Sequence, residues 1–95
     1  MTERVTKSSG NVFSDLGFNE EEAAILKMRA DLMNDLRKFI TEKKLSQVEA
    51  ARLLDVSQSR ISDLVRGKWD KFSLEMLITL ASRAGFRITL NRRAA

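Results

Sequence analysis

Residues 46–67 constrain this chain more than any other stretch. They read Ser-Gln-Val-Glu-Ala-Ala-Arg-Leu-Leu-Asp-Val-Ser-Gln-Ser-Arg-Ile-Ser-Asp-Leu-Val-Arg-Gly. Ser46 precedes an apolar-periodic run and has Glu49 three residues later. In that spacing a hydroxyl and a carboxylate each satisfy a backbone N–H that the first helical turn leaves free. A helix from about Gln47 to Leu54 follows, with Ala50, Ala51, Leu53 and Leu54 as its apolar face. Asp55 comes next, and Asp is one of the few non-glycine residues that tolerates left-handed backbone. Val56 is placed to plug the turn. Ser57 offers a second N-cap for a helix over 58–66, on which Ile61, Leu64 and Val65 recur along one face. Gly67 closes that helix. Two helices joined so tightly must cross steeply, and Ala51 is the small residue that permits close contact. The pattern is a helix-turn-helix.

What remains outward on the second helix is Gln58, Ser59, Arg60, Ser62, Asp63 and Arg66. These side chains can hydrogen-bond base edges or phosphates. Gln58 is the best base reader, because its amide matches the paired donor and acceptor of adenine. Ser57, Ser59 and Ser62 add short contacts. Gln47, at the start of the first helix, bonds a phosphate or braces the second helix. Arg60 reads guanine or grips phosphate, and position alone does not decide. Asp63 accepts from a cytosine amino group, or orients Arg60 or Arg66. After Gly67 comes Lys68-Trp69-Asp70-Lys71-Phe72, a basic loop that puts Lys68 and Lys71 beside the DNA backbone. Trp69 stacks on a sugar edge or tucks under the loop, and Phe72 is expected in the core. The alternative for the whole stretch is a helical hairpin in a bundle with no DNA role.

The order Ser-Gln-x-Glu-x-Ala, then Val-Ser-Gln-Ser-x-Ile-Ser-x-Leu-x-x-Gly, resembles the XRE-type repressors of phages and bacteria. It is most similar to the small HigA-type antitoxins that repress their own toxin operons. The resemblance covers roughly 12–92, and Asp55 departs from it where many relatives carry Gly. It implies a mainly α, lambda-repressor-like bundle of four to five helices, binding a pseudo-palindromic operator in double-stranded DNA as a homodimer. It also implies a RelE/HigB-like, messenger-RNA-cleaving toxin as partner. The alternative is a solitary phage-type regulator with no toxin.

Charge is distributed in the same sense. The 95 residues carry a net charge of +4. Residues 1–45 hold eight Lys/Arg against eight Asp/Glu, and residues 46–95 hold nine against five. The excess therefore lies with the segment that would face phosphates. There is no His and no Cys. The usual general base, the activated thiol and the common transition-metal ligands are thus missing, and no enzyme and no cofactor is expected. No run of about eighteen apolar residues exists and the N-terminus lacks a signal-peptide core, so a cytoplasmic protein is expected.

The remaining segments are expected as follows. Residues 1–18 form an N-terminal arm and 19–95 the DNA-binding domain. Within the arm, Val12, Phe13, Leu16 and Phe18 are apolar in a segment too short for a core of its own. That segment folds back on the domain or docks on a partner. Asn19 caps a long helix over 20–43. Its main stripe is Ile25, Met28, Leu32, Leu36 and Phe39, widened by Leu26, Met33 and Ile40. The N-terminal half of this helix packs on a second protein or on the arm. Ser73 caps a further helix over 74–84, stopped by Gly85. Residues 86–91 then alternate apolar and polar, the period of a strand. A lone strand needs a partner. The simplest partner is the same strand of a second copy across a two-fold axis, which would place Phe86, Ile88 and Leu90 at a shared interface; the alternative is the chain's own N-terminal segment.

Overall fold

The structure is a computed structural model and describes residues 11–89. Five α-helices follow one another: α1 (Val12–Asp15), α2 (Glu20–Glu42), α3 (Gln47–Leu54), α4 (Gln58–Val65) and α5 (Leu74–Arg83). A 3-10 turn, Trp69–Lys71, lies between α4 and α5.

Each helix begins and ends by the same local chemistry. The N-cap residues are Asn11, Asn19, Ser46, Ser57 and Ser73, all with extended backbone, and each side chain accepts a hydrogen bond from the first turn of its helix. Ser46 and Glu49 complete the capping box, at 3.0 and 2.9 Å. At the other end each helix closes with a paired bond pattern around a left-handed residue. For α4 the Gly67 N–H donates to the Leu64 carbonyl and the Lys68 N–H to the Asp63 carbonyl, both at 3.0 Å. For α2 the equivalent left-handed residue is Lys44, and for α3 it is Asp55. Lys44 is the less expected of the two. The lysine side chain does not favour left-handed backbone, whereas that of aspartate does.

The core is formed by Met33, Leu36 and Ile40 of α2, Ala50 and Leu54 of α3, Ile61 and Leu64 of α4, Phe72, and Leu77, Leu80 and Ala81 of α5. Helix α2 is the spine, packing on α5, on α1 and on α4, while α3 packs on α4 and α5. The apolar stripe expected along all of α2 is only half used. Leu36 is fully buried and Leu32 and Phe39 are half-buried, but Ile25 is 45% and Met28 36% exposed. The reason is geometric. A helix of 23 residues is about 34 Å long at 1.5 Å per residue. The core helices rest on its C-terminal half, at Met33, Leu36 and Ile40, and do not reach along its whole length. Ala50 rather than Ala51 is the fully buried small residue of α3.

Val12–Phe18 folds back on the domain. The Asn11 side chain donates to the Ala23 carbonyl at 2.9 Å, and the Phe13 ring meets Trp69. The part of the expected arm before residue 11 lies outside the described residues. At the other end, no strand is present among the described residues. A strand exists only through bonds to a neighbouring strand, and no described segment offers one. Phe86 turns inward instead, its ring edge-on to Phe39 at 5.7 Å, while Ile88 is 37% exposed. Leu90 and the rest of the expected strand lie outside the described residues.

Replacing Leu36 with Ala is expected to cost about 2–5 kcal/mol, the range for a buried Leu whose cavity cannot collapse. Ile25→Ala should stay within about 0.5 kcal/mol. Urea unfolding of both variants measures the contrast, and equal losses would return Ile25 to the core.

Candidate nucleic-acid interface

The turn between α3 and α4 is three residues long, and each has one task. Asp55 takes the left-handed backbone, with φ 57° and ψ 50°. Val56 is half-buried against the core, and its N–H donates to the Ala51 carbonyl at 3.0 Å. Ser57 accepts at Oγ from the Arg60 N–H at 3.1 Å. A fourth residue acts from outside. Arg83 of α5 donates through Nη1 to the Leu54 carbonyl at 2.9 Å and to that of Asp55 at 3.4 Å. These are carbonyls that the end of α3 leaves open. Arg83 carries no sequence signal for this role, because it lies almost thirty residues from its acceptors.

With Ile61 and Leu64 in the core, α4 presents its polar residues on the remaining surface. Gln58, Ser59 and Arg66 are exposed, and Arg60, Ser62 and Asp63 are half-buried. Gln47 is half-buried at the start of α3, next to the capping Ser46. Gln58 and Ser59 sit in the first turn of α4, and their side chains make no hydrogen bond among the described residues. Ser57 is exposed but committed to the cap as an acceptor, with its proton left to donate.

Arg60 has a structural role not anticipated from its position. Its Nη1 donates to the Lys71 carbonyl at 3.1 Å, and its guanidinium carbon lies 5.5 Å from the centre of the Phe72 ring. The planar fork and the flat ring suit each other. Arg60 thus ties the loop after α4 to the helix itself. Among the described residues Asp63 forms no ion pair with Arg60 or Arg66. The cation beside it is Lys68, with Nζ 3.9 Å from Oδ1. A pair so long and partly solvated contributes about 0–1 kcal/mol, so Lys68 stays free to exchange Asp63 for a phosphate. Lys71 is exposed. Arg37 of α2 also reaches this region. A methyl group added at Gly67 would sit 3.5 Å from Arg37 Nη1. Arg37 carries no sequence signal for this place.

The result is one surface carrying free amide and hydroxyl groups on α4 and cations on the adjoining loop. A family described as a helix-turn-helix domain matches residues 12–92. The chain belongs to this helix-turn-helix family. The match spans the bundle as well as the two helices that define the motif. As a helix-turn-helix domain, the chain is a DNA-binding one, with α4 in the place of the recognition helix. A search of curated proteins finds none that matches. Among the described residues no helix is long and apolar enough to cross a membrane, and no cluster of His, Cys, Asp or Glu could hold a metal ion.

Arg60→Met keeps the stem and removes the fork. The variant is expected to lose about 1 kcal/mol of stability, the worth of one hydrogen bond and a partly exposed cation–ring contact. Thermal unfolding without DNA reads this directly. An unchanged transition would mean that Arg60 is not engaged in the free protein.

Proposed function

We propose that the protein is a sequence-specific transcriptional repressor that binds its operator as a two-fold pair. The observation that carries this is the pairing of an unencumbered first turn on α4, Gln58 and Ser59, with a cationic loop tied to the same helix by Arg60. A reader of base edges needs free donors and acceptors at the helix start. A phosphate grip needs cations held in register with them. Two copies would set their α4 helices into successive major grooves about 34 Å apart. Ile88, exposed beyond α5, supports an interface between copies at this end of the domain, with Phe86 left to its own bundle against Phe39.

In this reading Gln58 specifies adenine, and Ser59 and Ser62 add short contacts. Gln47 and Ser57 donate to the backbone. Arg66, Lys68 and Lys71 neutralise phosphates. Arg60 acts on DNA through the loop it holds, and Asp63 keeps Lys68 over the helix end until phosphate replaces it. The resemblance of residues 46–67 to HigA-type antitoxins supports a finer reading. The regulated operon would be its own and would encode a RelE-like toxin that the protein neutralises. A neighbouring reading frame that is lethal without this protein would bear that out. Its absence would leave a solitary regulator.

Gln58→Ala should lose about 1–3 kcal/mol on the operator and relax preference at one base pair. Lys68→Ala should weaken operator and scrambled duplex alike and flatten the salt dependence. Fluorescence anisotropy with DNA from upstream of the gene measures both. Equal effects of the two changes on specific and random DNA would remove Gln58 from base reading.

A further inference from the structure

The loop that carries Lys68 and Lys71 is held from two sides. Arg60 holds its far end. The near end is held by Trp69, the only tryptophan in the chain, and by what Trp69 touches. Phe13 of α1 stands edge-on to the Trp69 ring, with centroids 5.9 Å apart and planes at 70°. Phe18 backs Phe13 in the same way, at 6.1 Å and 66°. Edge-to-face contacts of this kind are attractive beyond the area they bury. The Arg29 guanidinium of α2 lies 5.7 Å from the ring centre of Trp69. Arg29 Nε is buried and has no hydrogen-bond partner among the described residues. A buried donor left unmet is costly. The face of Trp69 is the favourable contact the guanidinium has in return.

None of these residues belongs to the helix-turn-helix, and Phe13 and Phe18 lie outside the buried core cluster. Yet Trp69 sits directly after Lys68 and begins the turn that ends at Lys71. The Lys71 N–H closes that turn on the Lys68 carbonyl at 3.0 Å. We infer that Phe13 and Arg29 are positioning residues for DNA binding: they clamp Trp69 and so set where the two loop lysines stand relative to α4. The affinity for DNA therefore depends on a short segment ahead of the domain. The inference rests on the proposed phosphate role of Lys68 and Lys71.

The test is a double-mutant cycle on Phe13 and Trp69. It is read by anisotropy with a random-sequence duplex at low salt, so that no operator need be known. Phe13→Ala and Trp69→Ala should each weaken binding about three- to tenfold, as loss of one aromatic contact allows. The double variant should be no weaker than either single one, because both remove the same clamp. Phe13→Tyr and Trp69→Phe, which keep the ring edges, should bind as the parent does. In Phe13→Ala the Trp69 emission should move to the red while the melting transition persists. Multiplying losses in the double variant would overturn the clamp, since the two side chains would then act independently. So would full affinity in Phe13→Ala. A Lys68→Ala, Lys71→Ala variant is measured alongside. If it binds as tightly as the parent, the loop has no phosphate role and that reading falls first, taking the clamp's purpose with it. If it binds weakly while Phe13→Ala does not, only the clamp falls.

Discussion

Everything about this fold depends on the three-residue turn between α3 and α4. A connection that short leaves two helices no choice but to cross steeply, and the crossing decides which face of α4 can be buried. The turn holds because each residue answers a separate need: left-handed backbone at Asp55, an apolar plug at Val56, a hydroxyl cap at Ser57. Its carbonyls are then taken by Arg83, which joins the turn to α5. Ile61 and Leu64 go inward in consequence, and Gln58 and Ser59 are left on the surface where DNA can meet them.

The long helix α2 does two jobs with its two halves. Its C-terminal half, through Leu36 and Ile40, supplies the wall on which the crossed pair and α5 rest. Its N-terminal half extends past that wall and carries α1 and the Phe13, Phe18 and Arg29 cluster. That cluster meets the loop after α4 directly, because Phe13 and Arg29 both lie against the Trp69 ring.

The cations of this surface differ in what already holds them. The basic excess lies in residues 46–95, and its members differ in freedom. Arg60 is spent on the Lys71 carbonyl and the Phe72 ring, and Arg83 on the turn. Lys68 leans loosely toward Asp63. Arg66 and Lys71 are exposed. A positive sequence count therefore does not say which cations have free donors, since Arg60 and Arg83 already spend theirs on backbone carbonyls.

The sequence by itself determined the motif and the bounds of α2 to α5 to within a residue, while α1 carried no helix signal and residues 86–89 form no strand. The signals for these are local: Asn19, Ser46, Ser57 and Ser73 cap where their spacing says they should, and Gly67 and Gly85 close where only the backbone of a few residues is involved. Membership in the helix-turn-helix family follows from the same short pattern, and so do Gln58 and Ser59 as surface groups. Tertiary structure decided what depends on residues distant in the chain. It separated Arg60 and Arg83 from the cations free to meet DNA, turned Phe86 toward Phe39, left Ile25 and Met28 uncovered, and brought Phe13 against Trp69. Periodicity marks a face as apolar but cannot say how far along a helix its neighbours reach. Nor can spacing show which carbonyl an arginine will find, because that partner is chosen by the packing of whole helices.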